Sequence, residues 1–495
     1  MRKLGLSLLL TLAFAATYTQ SPLFTSNQYQ YFLHGLAQAG VGMLREDWLA
    51  NTADPTPLFS LLIEWTARLG WLPLTYVYYA CLMGIYLFAL LAIAETLFPL
   101  RNDRTTLALF LTLIFLTHSA ALRFLLTRWP GPAWAYLFDG GVAGQRLLGP
   151  VFQPSVFGVL LLVALWLMLK DRPILGALTA VAAASIHPTY LLSAASLTLA
   201  CLLDLWRRGD RKRLLQTALS ALMGVLPILM YTWLHFGGSD PVQAERARQI
   251  LMNIRIPHHA RLAEWFDLTV LIKLAIILVS LCLARGQRLA MFLGVPFSLA
   301  LMLTCLQGVT GNAFLALLFP WRLSTWLVPV GTALLAGWAA RRLSESHLLS
   351  QRTLLAGSLG VIVVLVALGG VRMALDWDRP QRSPAWPMQQ FVARVRQPGQ
   401  VYLIPPKMYD FRLHTGAPVY GDFYAIPYRD EDVIEWYSRF LNARRFYDTA
   451  DCVWLQELIV QGVTHVVLPS EFSTLCPDLE RLYQDGHYGV FAVKR

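Results

Sequence analysis

Residues 170–213 read KDRPILGALTAVAAASIHPTYLLSAASLTLACLLDLWRRGDRKR. Two basic ends, Lys170–Arg172 and Arg207–Arg213, enclose an apolar stretch over 172–206. Loops rich in Lys and Arg resist translocation across a membrane. Both ends therefore lie on one side, and the stretch between them crosses an even number of times. His187-Pro188 sits at its middle, and a proline disfavours helix at the residue before it. The stretch reads as two spans joined by an outer turn, not as one long helix.

The same punctuation recurs along the chain, at Arg2–Lys3, Arg101–Arg104, Arg285–Arg288 and Arg341–Arg342. Hydropathy between the clusters gives about eleven spans: 4–20, 74–98, 105–122, 154–170, 172–188, 189–206, 213–235, 266–285, 289–306, 322–340 and 352–372. The fold class is mainly α: a polytopic helical membrane protein, N-terminus in and C-terminus out. Residues 1–372 form the transmembrane domain with an outer loop at 21–73, and 373–495 a small α/β domain on the outer face. Composition agrees. Of 495 residues, 56% are hydrophobic and 14% charged, against about 25% charged in soluble proteins. The net charge of +11 lies mostly in the loops that set orientation, which argues against a nucleic-acid partner. The start, 1–20, reads either as a signal peptide or as an uncleaved first span; both place residue 22 onward outside.

The outer side then receives 21–73, 123–153, 236–265, 307–321 and the tail. An amphipathic helix is expected near 26–44, lying along the interface. The apolar stretch 58–70 is too short to span, so it is buried or re-entrant. The tail carries strand-like runs at 401–404, 419–420, 465–468 and 489–493. Helical patterns follow near 430–445, with Asp430 as N-cap, and near 452–461. Cys452 and Cys476 pair if this segment lies outside the cytoplasm; otherwise they are two free thiols. Cys81, Cys201, Cys282 and Cys305 lie in apolar runs and read as small hydrophobes.

No soluble-enzyme motif is present: no P-loop, HExxH, GxSxG or zinc-spaced CxxC pair. Polar groups gather instead at outer helix ends. Asp47, with Glu46 beside it, is a candidate general base whose strength would rise with partial burial; the plain alternative is a solvated loop acid or cap. Arg128, Arg146, Arg255 and Arg322 are candidates to hold a phosphate with their planar forks, or else they snorkel to headgroups. His258 and His259 are adjacent and would point about 100° apart on a helix. They make a poor metal pair but suit proton transfer or phosphate hydrogen bonding. His187 serves the same site or caps its own turn. The loop 405–428, dense in Tyr, Phe, Arg, His and Gly, suits sugar stacking or ordinary packing of the tail. Ionisable residues are essentially absent from span middles, which favours surface chemistry over ion-coupled transport.

This layout resembles the GT-C superfamily of polytopic glycosyltransferases, in an acid of the first outer loop, many spans and an outer C-terminal domain. The resemblance implies transfer of a sugar from a polyprenyl-phosphate-linked donor to an acceptor, inverting, at the periplasmic face of a bacterial inner (plasma) membrane. The family's first-loop acid maps onto Asp47, with Glu46 the neighbouring candidate; Arg255, His258, His259 and Arg322 would hold the donor phosphate. Membrane lipids are the other partners. The tail lacks the WWD-type signature of oligosaccharyltransferases, so the likeness does not extend to transfer onto asparagine. No second acidic motif accompanies Asp47, so the mechanism reads as metal-independent with no cofactor, a divalent cation being left open. His187-Pro188-Thr189-Tyr190, Arg255–His259 and Pro320-Trp321-Arg322 are also similar to segments of an uncharacterised bacterial membrane-protein family, which carries no activity with it. The alternative from another class is a lipid or glycan flippase, or an envelope assembly factor.

Overall fold

The computed structural model describes residues 2–346, 348–472 and 476–494; the side chains of Arg2 and Lys3, the first basic cluster, lie outside that description. The chain forms two compact units. The first comprises Met1–Gln20, Tyr76–Met230 and Ile256–Leu375; the second comprises Ser21–Thr75, Tyr231–Arg255 and Asp376–Arg495. A cut at residue 372 is thus incomplete, because the loop 21–73 folds with the tail. Its polar groups explain why. Gln30 donates to the Ile426 carbonyl (2.8 Å) and accepts from the Ile426 amide (2.6 Å).

Among the described residues, six helices are long and apolar enough to cross a membrane: Leu74–Ala94, Pro188–Arg207, Arg211–Phe236, Arg288–Thr310, Ala313–Glu345 and Gln351–Asp376. The expected span 105–122 is a pair, Arg104–His118 and Ala120–Arg128, bent by 45°. Ser119 makes the break: its backbone is extended, and its hydroxyl accepts from the Leu122 amide at 3.0 Å, capping the second helix. Leu4–Tyr18, Pro154–Leu169, Pro173–Ile186 and Leu268–Leu283 are apolar but shorter. The 172–206 stretch does divide at His187, which is extended at φ −138°, ψ 98° before Pro188.

The apolar windows of Arg211–Phe236 and Gln351–Asp376 are only 11% and 17% buried. So much exposed Leu and Val would be costly in water and is at home in lipid; the chain is built as a multi-pass membrane protein would be. Where helices do meet, small residues allow it. A Cβ on Gly369 would fall 2.1 Å from the Ala16 carbonyl oxygen. Only glycine there lets Gln351–Asp376 close on the N-terminal helix.

The second unit contains a four-stranded sheet: β1 (Tyr402–Leu403), β2 (His465–Pro469), β3 (Leu479–Gln484) and β4 (Tyr488–Val493), in the order β1-β2-β4-β3. β1 is parallel to β2; the other pairs are antiparallel. Successive residues of a strand face opposite ways. Val466 accordingly packs with Leu403, Phe446, Leu455 and Phe491, and Val467 with Met388, Tyr402, Phe411 and Val490. A disulfide joins Cys452 to Cys476, Cα atoms 5.4 Å apart. Asp430 is the first residue of the helix Asp430–Thr449 and not its cap; Arg429 precedes it, and three acids fill the first turn, where the helix dipole favours them.

One expectation about the first loop changes and one holds. In place of an interfacial helix over 26–44 stand Gln28–Tyr31 and Leu33–Ala39, the latter buried from Leu33 through Ala37. The stretch 58–70 is a helix, Pro57–Arg68, that buries Phe59 and Ile63 and packs on Leu33–Ala39.

Candidate anion-binding site

In the second unit, Asp47 is completely buried. Its Oδ2 accepts from Arg412 Nε at 2.7 Å and from the Val419 amide at 2.9 Å; Oδ1 accepts from the Leu49 amide at 2.9 Å. Arg412 Nη1 reaches Asp422 Oδ2 at 2.5 Å, and Asp422 Oδ1 takes the amides of Tyr424 and Ala425. Burial opposes the Arg412 charge, but the two carboxylates outweigh it and hold the guanidinium protonated above its ordinary range. This corrects the role of general base: every Asp47 oxygen is engaged and none meets solvent. The carboxylate ties the first loop to the 405–428 segment, which is packed and not free. Glu46 is exposed, and its Oε2 accepts from the Gly399 amide at 2.7 Å. Arg255 donates to the Tyr424 carbonyl at 2.5 Å and lies over the rings of Phe423 and Tyr424.

The first unit holds the other candidates. Pro320–Leu323 is a single tight turn entered through Phe319 at φ +49°, a conformation rare for a bulky residue. Trp321 is buried there, and Arg322 projects beside it, half-buried. Its Nε and Nη2 donate to Thr189 Oγ1 (3.2 and 3.0 Å), its Nη2 to His187 Nε2 (2.5 Å), and its Nη1 to Gln145 Oε1. Its guanidinium also lies over Tyr190, 5.1 Å from the ring centroid.

Gln145 comes from a hairpin, Asp139-Gly-Gly-Val-Ala-Gly-Gln-Arg146, closed by a bridge between Gly140 and Arg146. Its turn needs Ala143 at φ +55° and Gly144 at φ +65°; a Cβ on Gly144 would also come within 3.3 Å of His259 Cε1. Three groups pin the hairpin. Lys273 Nζ donates to the Gly141 carbonyl (2.9 Å), the Val142 amide to Ser324 Oγ (2.8 Å), and His259 Nδ1 to the Ala143 carbonyl (2.6 Å).

The charges do not cancel. Among the described residues no carboxylate lies within 4 Å of Arg322 or of Arg146, which stacks on Tyr136 at 4.1 Å. The partners of Arg322 are an amide, a hydroxyl and an imidazole. Because Arg322 can only donate, His187 Nε2 must accept and the ring is neutral. Burial first, then His258, Arg322 and Arg146, lower His259 to about 3. Because a carbonyl only accepts, the proton of neutral His259 sits on Nδ1.

The His259 ring binds fewer protons folded than unfolded, so its share of the stability should fall as pH drops below about 6.5, by about 1.4 kcal/mol per pH unit. Thermal unfolding in detergent from pH 7.5 to 4.5 measures this. His259→Gln should remove one histidine's share of the slope; an unchanged slope would mean His259 is already protonated in the native protein.

Of the sequence candidates, the structure gathers Arg146, His187, His259 and Arg322. The His258 and His259 rings do not diverge; their centroids are 4.1 Å apart in the four-residue helix Pro257–Ala260. Arg128 ends its helix exposed, with no hydrogen bond or ion pair among the described residues. Asp47, Glu46 and Arg255 belong to the second unit. The sequence assigns no site role to Gln145, Thr189, Lys273, Arg123 or Asp139. The glycine-rich 140–144 between Asp139 and Gln145-Arg146 was the signal that a hairpin presents those side chains. Among the described residues, no three or more His, Cys, Asp or Glu side chains gather as a metal would need.

A family model described as a domain of unknown function, DUF6798, matches residues 385–443, within the second unit and including Arg412 and Asp422. No curated protein matches the chain.

Proposed function

We propose that this protein is a membrane glycosyltransferase that takes a sugar from a polyprenyl-phosphate-linked donor, with the donor phosphate seated on Arg322. The observation that carries the reading is a half-buried arginine whose acceptors are all neutral. A cation that shares a site with two uncharged imidazoles, Arg146 and no carboxylate favours an anion. Planar forks suit phosphate, and the leaving phosphate gains negative charge as the glycosidic bond breaks, which Arg322 would stabilise. If the four shorter apolar helices cross together with the six long ones and the bent pair, the count reaches about eleven. With the basic clusters inside, the His187 turn, the 139–146 hairpin and the tail fall on the outer, periplasmic side of a bacterial inner membrane. A disulfide in the tail suits an oxidising compartment. The lipid tail of the donor would lie along the exposed apolar helices.

The test is titration of the detergent-purified protein with undecaprenyl phosphate, followed by tryptophan fluorescence; Trp321 adjoins Arg322, and its ring centroid is 6.2 Å from that of Trp265. Saturable binding that Arg322→Gln abolishes is expected. Equal binding by both proteins would sink the assignment.

A further inference from the structure

A second polar group neighbours the Arg322 site within the first unit, and Tyr136 connects them. Arg146 lies over one region of this ring at 4.1 Å, and Arg123 is 5.4 Å from its centroid. Arg123 also lies over Tyr18 at 4.0 Å, and its Nη1 is 4.0 Å from Asp139 Oδ2. That last separation is beyond a hydrogen bond. The donors of Arg123 go elsewhere, to the main-chain carbonyls of His118 (3.2 Å) and Tyr18.

The consequence is unusual for a protein interior. Asp139 is 2% exposed and Tyr18 fully buried. Neither carboxylate oxygen of Asp139 and not the hydroxyl of Tyr18 has a hydrogen-bond partner among the described residues. Nearby hydroxyls are satisfied: Tyr79 exchanges hydrogen bonds with Gly149 (2.5 and 2.9 Å), and Tyr86 pairs with His118 at 2.8 Å. Buried polar atoms are almost always paired, so three unpaired ones around a single guanidinium mark a place where something else supplies the partners.

The chemistry of the group narrows what that is. A carboxylate accepts two hydroxyl protons at once, and a tyrosine hydroxyl donates and accepts. Adjacent hydroxyls on one ring match both. We propose that Asp139, Tyr18 and Arg123 form the seat of the sugar ring whose phosphate is held at Arg322. This rests on the function proposed above. It adds a site that separates glycosylated from bare lipid phosphate, and Asp139 is its specificity-determining residue.

The experiment compares undecaprenyl phosphate with undecaprenyl-phosphate-linked glucose, galactose and mannose, titrated against the full-length protein in detergent. The wild type should bind at least one glycosylated lipid about tenfold more tightly than the bare one, as a site built around hydroxyl partners does. Asp139→Asn replaces an acceptor oxygen with an NH2 group. It should bring that preference within about twofold, leaving bare undecaprenyl phosphate bound as in the wild type. Tyr18→Phe removes one hydroxyl without touching a charge and should lower the preference by about threefold, which guards against misfolding of the Asp139 variant. An Asp139→Asn protein that folds and keeps the full preference overturns the sugar seat while sparing the phosphate site. A wild type that prefers none of the three sugars overturns it too, and ordered water is then the partner of these atoms. A wild type that binds no undecaprenyl phosphate at all defeats the functional reading, and the seat with it.

Discussion

Replacing Arg412 with methionine is expected to lower the stability of the second unit by about 3–5 kcal/mol, because it leaves two buried carboxylates without their cation. Asp47 and Asp422 are 0% and 3% exposed, so neither can turn to water. Their remaining partners, the amides of Leu49, Val419, Tyr424 and Ala425, carry partial charges only. Asp47→Asn is expected to cost less, about 1–3 kcal/mol, since one oxygen still accepts while the new NH2 faces a donor. Trp436 reports on the event directly: its Nε1 donates to the Asp422 carbonyl at 2.8 Å. Denaturant unfolding followed by tryptophan emission therefore measures both variants, and the Asp47→Asn/Arg412→Met double variant should recover part of the summed loss. The outcome also decides between two roles for Asp47. A base at an active surface would leave the unfolding midpoint untouched and remove only turnover. That result would restore Asp47 to the chemistry.

The burial of Asp47 against Arg412 shows what a sequence pattern does not carry. The division at His187-Pro188 is legible because a proline acts on the residue beside it. The 58–70 stretch was legible as a non-spanning segment from its length alone. Asp47 and Arg412 are 365 positions apart, and no local pattern signals their pairing. An acid in a loop between apolar runs looks the same whether it faces water or a buried guanidinium. β3 was missed for a related reason: its residues run Leu-Glu-Arg-Leu-Tyr-Gln and are mostly exposed, so no alternation marks it. The run at 419–420 was read as a strand and makes only an isolated bridge, Val419 to Tyr402.

The candidate site divides in the same way. Arg322, His187, Arg146 and His259 were visible as polar residues at the ends of apolar segments, where charge is expensive and tends to be kept for a reason. That Arg322 binds His187 and Thr189 depends on how two helix ends meet, which spacing does not encode. Asp139 was harder still. What distinguishes it is the absence of hydrogen-bond partners among the described residues, and that is a property of the packed interior.

Arg322→Lys is expected to weaken undecaprenyl phosphate binding about 10- to 100-fold although the charge is kept, the worth of a charge-assisted hydrogen bond or two at 1.4 kcal/mol per tenfold. The guanidinium holds Thr189, His187 and Gln145 from three nitrogens in one plane. An ammonium on a flexible stem cannot reproduce that fork, so the charge is no longer fixed where the phosphate sits. Arg322→Gln loses the charge as well and should fall at or beyond the lower-affinity end. The competing view is that Arg322 only fastens the His187 turn to the 139–146 hairpin. Neutral hydrogen bonds of that kind are worth about 1 kcal/mol each, so both substitutions would then lower the unfolding temperature and leave affinity alone. Measuring both quantities separates the two. A ligand at a hundred times its Kd stabilises the native state by about 2.7 kcal/mol. Undecaprenyl phosphate at that concentration should therefore raise the unfolding temperature of the wild type most, that of Arg322→Lys by the equivalent of only about 0.4–1.4 kcal/mol, and that of Arg322→Gln least. If the rise is equal in all three proteins, the lipid phosphate binds elsewhere and Arg322 is a fastening.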